Sequence, residues 1–136
     1  MLTVVSGPPC SGKSRYVDEH SGPGDLGVSV DRLAVALGHP GDRIDWDTPH
    51  PAREAARAAR RAVLDVVVSG QLYVHAWLID TRPHPTSLRI WERMGADFIT
   101  LDPGRDVCRQ RALEADRPAS TLEQIDQWYG LRSAAG

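Results

Sequence analysis

Ser6-Gly7-Pro8-Pro9-Cys10-Ser11-Gly12-Lys13-Ser14 is the stretch that decides the fold. From Gly7 it reads G-x-x-x-x-G-K-S, the Walker A phosphate-binding loop, and the apolar run Leu2-Thr3-Val4-Val5 leads straight into it. Strand, glycine-rich loop and helix is the order the motif requires. The glycines let the backbone curl and turn its N–H groups inward on a phosphate. The helix starting near Gly12 adds its positive end. Pro8 and Pro9 have no N–H, so the donors come mainly from residues 10 to 14. The spacing assigns Gly7, Cys10, Ser11, Gly12, Lys13 and Ser14 to a bound nucleotide. In that assignment Lys13 reaches the β- and γ-phosphates and the Ser14 hydroxyl holds Mg²⁺.

Composition sharpens this. Lys13 is the only lysine in 136 residues, against 15 arginines. A compact, flexible ammonium is kept where a planar guanidinium does not fit. The length is that of one domain, 1–136, with room for a real core. A net charge of −2 means that any nucleic-acid contact must come from a local patch. Two cysteines, Cys10 and Cys108, make no disulfide framework, and a reduced, cytoplasmic setting is expected. The N-terminus has no signal-peptide pattern and no stretch approaches membrane-spanning length, so no membrane association is expected.

Outward from the loop, strands and helices alternate. Strands are expected at about 2–6, 27–30, 73–79 and 96–101. Helices are expected at about 12–20, 32–37, 51–69, 86–94, 105–114 and from Ser120 or Thr121 to Tyr129, with a frayed tail from 131 to 136. Thr48 is the expected N-cap of the long helix. Alternation of this kind predicts an α/β, three-layer P-loop NTPase fold, with about four parallel strands and helices on both faces. The C-terminal strand ends then share one rim, where open α/β sheets bind ligands. The loop, Asp31, Asp80 and Asp102 all fall on that rim.

Phosphoryl transfer needs a cradle, a metal, a group that orients the nucleophile, and positive charge on the transferring phosphoryl. Asp31, after the second strand, suits a general base and equally suits a helix N-cap; the two roles are compatible. Arg32 beside it is a candidate for gripping an acceptor, with a solvated arginine as the plainer alternative. Asp80 ends the apolar run Ala76-Trp77-Leu78-Ile79 and suits a Mg²⁺ ligand or an acceptor contact. Asp102, before Pro103, reads as a turn residue.

Arg105, Arg109, Arg111 and Arg117 cluster round a break at 114–119, and Arg111 and Arg117 flank it most closely. Arginines there suit charge developing in a transition state; a solvated basic helix paired with Asp106, Glu114 and Asp116 is the alternative. Arg53, Arg57, Arg60 and Arg61 recur at helical spacing, and a plain solvated face is favoured over a strip that tracks a phosphate backbone. The five histidines show no metal-ligand spacing, and His75 reads as a strand residue. Trp77, Trp91 and Trp128 occupy core-like positions, while Trp46 suits either a base stack or a loop anchor.

The set LTVVSGPPCSGKS, VSVDRL, AWLIDT and LDPGRDVCRQRALEADRP resembles the small P-loop kinases related to phage polynucleotide kinase and the zeta-toxin group, to about residue 118. The resemblance implies that Asp31 is the catalytic aspartate, that Asp80-Thr81 matches the family's Asp-Thr, and that Arg111 and Arg117 are lid arginines. The family often has an arginine three residues after its catalytic aspartate; here that position is Ala34, and Arg32 is adjacent to Asp31 instead. The expectation is a kinase using ATP or another NTP with Mg²⁺. Its favoured acceptor is a nucleic-acid 5′-hydroxyl or a nucleoside. The alternatives are a nucleotide or small-metabolite kinase, or an NTP-binding switch module with weak hydrolysis.

Overall fold

The computed structural model describes residues 1–70 and 73–135, with side chains described through residue 130; of the tail expected to fray, 131–135 are helical in their backbone and Gly136 lies outside the described residues. Leu2–Ser6 forms β1, and four of its five residues are buried. Strands Leu26–Val28 (β2), Ala76–Asp80 (β3) and Asp97–Thr100 (β4) complete one sheet in the order β2-β3-β1-β4. Every pairing is parallel, and Ser6 lies opposite Asp80 on one side and Thr100 on the other. The fold is α/β with helices on both faces of the sheet, as the alternation predicts.

Strand periodicity sorts the core into two layers. Leu2, Val4, Ala76 and Leu78 pack with Leu64 and Val67 of α3 (Pro51–Val68) and Trp91 of α4 (Pro85–Arg93). Val5, Trp77 and Ile79 face the other way, against Tyr16 and Val17 of α1 (Lys13–His20). A short helix, α2 (Val30–Ala36), packs with Ile44 and Trp46 against the start of α3. Finally, α5 (Arg105–Glu114) and α6 (Ala119–Ala135) form a hairpin whose core of Cys108, Ala112 and Ile125 also packs Cys10 of the glycine-rich loop. The loop therefore rests on the sheet from below and on the hairpin from the side.

Local chemistry moves several boundaries. The second strand stops at Val28, because α2 starts at Val30 and the Ser29 hydroxyl caps it by accepting from the Arg32 N–H. Ser29, not Asp31, is thus the N-cap, and Asp31 lies in the first turn of α2. The long helix is capped by the His50 ring, which accepts from the Ala52 N–H, instead of by Thr48, whose hydroxyl donates to Asp45. His84 caps α4 in the same way. His75 falls just outside β3, where its ring stacks on Trp77 and hydrogen-bonds Thr3. The last helix runs beyond the expected Tyr129, to Ala135. Between α5 and α6, Asp116 adopts φ 51° and the Arg117 N–H returns to the Ala112 carbonyl, so the break at 114–119 is a tight left-handed cap.

Candidate active site

The glycine-rich loop alternates handedness. Gly7 has φ 151°, Cys10 has φ 64° and Gly12 has φ 95°. A Cβ on Gly7 would stand 2.4 Å from the Leu101 carbonyl oxygen, so only glycine lets β1 and the chain after β4 approach so closely. A Cβ on Gly12 would meet the Arg111 guanidinium at 4.0 Å, and it would be strained by the backbone angle in any case. Cys10 is the one loop residue held left-handed without being glycine. Its carbonyl accepts from Arg111 at 3.2 Å, and its side chain packs on the α5–α6 core, which together hold the turn.

Lys13 fills the centre of this loop. Its ammonium donates to the carbonyls of Gly7 at 2.9 Å and Pro8 at 2.7 Å, and lies 3.5 Å from the Ser11 hydroxyl. Burial lowers its pKa to about 8, against the pull of nearby Asp31 and Asp80. Only neutral groups, two carbonyls and one hydroxyl, touch the charge directly. Such an ammonium gains from any anion brought to the loop.

A cavity of about 1070 Å³ opens above the loop. Cys10, Ser11, Gly12, Lys13 and Ser14 form one wall, and Asp31, Asp80, Arg111 and Arg117 border the same space. Gly7, also expected at the site, does not line it. Of the residues expected at the site, Arg32 stands apart: its guanidinium pairs with Asp18 at 2.6 Å outside the cavity. β2 is the edge strand and β3 separates it from β1, so Asp31 reaches the cavity from across the sheet and not from a strand beside the loop.

Asp31 is fastened by one oxygen. Its Oδ1 accepts from the Ile44 N–H at 2.8 Å, and its Oδ2 has no hydrogen-bond partner among the described residues. That leaves a carboxylate oxygen available to an incoming hydroxyl. Asp80 is different. Oδ2 accepts from Arg60 at 2.6 Å and Oδ1 from the Arg82 N–H at 3.0 Å, so both oxygens are engaged. Burial raises its pKa despite Arg60.

No group of three or more histidine, cysteine or acidic side chains suited to a metal occurs among the described residues. The donors at the loop nevertheless fit Mg²⁺. This ion keeps several waters and takes few protein ligands when it travels with phosphates. Ser14, exposed at the loop, would be the direct ligand. Asp80 would act through water, because Arg60 and the Arg82 N–H engage its two oxygens.

The arginines divide by partner. Arg105 and Arg109 both bind Asp126, which ties α5 to α6 and takes them out of the site. Arg117 lines the cavity with a buried Nε that has no partner among the described residues. Burial lowers its pKa, and the neighbouring Arg43 adds to this. Arg43 is a site residue that the sequence did not single out, since a lone Asp42–Arg43 pair reads as surface chemistry. The arginine strip of α3 is not a plain solvated face. Arg53 and Arg57 lie 4.7 and 4.9 Å from the Trp46 ring centre, Arg60 holds Asp80, and Arg57 and Arg60 line the cavity. Trp46 anchors its loop through these contacts. Asp102, expected only to turn the chain, accepts from the Tyr129 hydroxyl at 2.7 Å.

No protein-family model matches the chain, and no curated protein matches it either. No helix among the described residues is long and apolar enough to cross a membrane.

Proposed function

We propose that the chain is a P-loop phosphotransferase that moves the γ-phosphoryl group of ATP, with Mg²⁺, to a hydroxyl acceptor. The observation that carries this is the juxtaposition of Lys13 and Asp31 on one cavity: a buried ammonium in a left-handed loop, and a carboxylate with one oxygen unengaged. A module that only binds nucleotide needs the first and has no use for the second.

In this reading the loop N–H groups and Lys13 bind the phosphates, and Ser14 would hold the metal, which neutralises phosphate charge. Asp31 accepts the proton of the acceptor hydroxyl as its oxygen attacks the γ-phosphorus, and the bond from that phosphorus to the β,γ-bridging oxygen breaks to release ADP. Arg111 and Arg117 face the charge that grows on the transferring group. The α5–α6 hairpin carries both arginines and packs on Cys10, so its position and that of the loop are coupled.

The favoured acceptor is a nucleic-acid 5′-hydroxyl or a nucleoside, which rests on the resemblance of the motifs. Arg43 and Arg57 border the cavity but are paired with Asp42 and Glu54, so an acceptor that carries negative charge would take the place of those partners. The test is acceptor-dependent ADP formation, followed against salt for a short oligonucleotide and its matching nucleoside. A strand that binds through several phosphates loses affinity steeply, with a slope of about 0.7 per contact. Equal slopes remove the polymer, and ADP formation that ignores every acceptor removes the kinase.

A further inference from the structure

Arg60 stands where the pattern of α3 calls for an apolar side chain. The buried residues of this helix are Ala52, Ala56, Leu64 and Val67, and position 60 completes the spacing between Ala56 and Leu64. Ala52 and Ala56 pack with Ala34 and Ile44, whereas Leu64 and Val67 pack on the sheet. Arg60 therefore falls at the joint between two apolar clusters. Its side chain is 24% exposed, against 50% for Arg57 one turn earlier.

Asp80 meets it from the sheet. Alternation along β3 puts residue 80 on the face of Ala76 and Leu78, which is the face that α3 covers. In register it is opposite Ser6, the last residue before Gly7. Both members of the pair also border the cavity above the phosphate loop.

Stability does not account for a charge at this position. Apolar residues of similar volume commonly match or exceed a largely buried ion pair, and one at position 60 would join the two clusters. What the pair does is occupy Asp80. The carboxylate gives Oδ2 to Arg60 at 2.6 Å and Oδ1 to the Arg82 N–H at 3.0 Å. A carboxylate so engaged is fixed in direction and meets a neighbouring cation through water. Mg²⁺ parts with its waters reluctantly, whereas Ca²⁺ readily takes carboxylate oxygens into a larger and more flexible shell. Holding Asp80 back therefore handicaps Ca²⁺ more than Mg²⁺.

We infer that Arg60 is a positioning residue for the metal of the phosphate loop. It holds Asp80 so that the carboxylate orders metal-bound water instead of entering the metal's shell, and it thereby favours Mg²⁺ over Ca²⁺. Arg60 itself touches neither metal nor nucleotide in this role. The inference rests on the reading of the loop as a Mg²⁺–nucleotide site.

Metal binding to the ADP-bound protein tests this without turnover. Calorimetry gives the affinities for Mg²⁺ and Ca²⁺, and electron paramagnetic resonance of Mn²⁺ in water enriched in the magnetic oxygen isotope counts the waters on the ion. Asp80→Asn is expected to weaken Mg²⁺ binding by about tenfold, as for a lost outer-shell group. Arg60→Met is expected to act in the opposite sense. It frees Asp80 Oδ2, tightens Ca²⁺ binding by about tenfold and Mg²⁺ binding by less, and removes a water from Mn²⁺. Arg60→Lys keeps a cation on Asp80 and should restore the wild-type values. Arg60→Met with Asp80→Asn should bind Ca²⁺ no more tightly than the wild type. Thermal unfolding beside these measurements shows which variants are folded, and Arg60→Gln, which keeps a donor without the charge, should shift Ca²⁺ in the same direction as Arg60→Met. A merely structural Arg60 predicts lower stability with no gain in metal affinity. Ca²⁺ binding that is unchanged or weaker in both Arg60→Met and Arg60→Gln overturns the inference and leaves the nucleotide reading standing. A wild type that binds no ADP overturns both.

Discussion

The ammonium nitrogen of Lys13 lies 2.7 Å from the carbonyl oxygen of Pro8, so the loop's only cation is held by the loop itself. Pro8 has no N–H, and its contribution to the site is an acceptor. Phosphate oxygens entering the loop compete with that carbonyl for the same charge. With a pKa near 8, the Lys13 site binds fewer protons in the folded state than in the unfolded state between pH 8 and 10.5. Stability from this group therefore rises with pH across that window, by up to about 3 kcal/mol. Lys13→Met removes the effect. Urea unfolding of the two proteins at both ends of the window checks it, and parallel pH profiles contradict it.

Asp31→Asn is expected to lower transfer by about a hundredfold or more while ATP affinity stays put, the usual range for a lost base. The amide oxygen still accepts from Ile44, so the loop at 39–50 keeps its anchor. Asp31→Ala loses both functions and leaves a backbone donor unpaired, at about 1–3 kcal/mol. Kinetics and thermal unfolding of the pair separate chemistry from architecture. Wild-type activity in Asp31→Asn reduces the residue to a loop anchor.

The α5–α6 hairpin yields a separate expectation. Arg111→Ala and Arg117→Ala should lower kcat more than they weaken ATP binding, because charge on the transferring group grows only in the transition state. Arg111→Ala also frees the Cys10 carbonyl, so its effect on ATP affinity should exceed that of Arg117→Ala. Calorimetry beside steady-state kinetics measures both. A loss of affinity alone, at unchanged kcat, removes the arginines from catalysis.

Arg60 and Asp80 offer a double-mutant cycle. Their side chains are 24% and 19% exposed, between the surface and buried cases, so losing one partner should destabilise by about 2 kcal/mol. Arg60→Met with Asp80→Asn should be less destabilising than the two single losses added together. Additive losses would show that the 2.6 Å contact contributes no coupling.

The parts of this molecule that were legible in the sequence are those whose cause is local. The apolar run from Leu2, the two glycines and the lysine specify strand, loop and helix within one short segment. Alternating elements then fix a parallel sheet and bring Asp31 and Asp80 near the loop. What stayed hidden depends on segments far apart in the chain. Arg60 meets Asp80 only because α3 packs on the sheet beside β3, and Ile44 reaches Asp31 only because the loop at 39–50 folds back on α2. Helix starts were misplaced for a subtler reason. Ser29 and His50 compete with Asp31 and Thr48 for the cap, and the backbone angle that decides between them is set by tertiary packing.

The measurement that bears most directly on the account is transfer of labelled γ-phosphate from ATP to a panel of DNA, RNA, nucleosides, nucleotides and sugars, with Lys13→Ala and Asp31→Asn beside the wild type. The account predicts label on a hydroxyl of at least one acceptor, with none in Lys13→Ala and a loss of about a hundredfold or more in Asp31→Asn. ATP bound or slowly hydrolysed by the wild type, with label on no acceptor and no difference in Asp31→Asn, would contradict it.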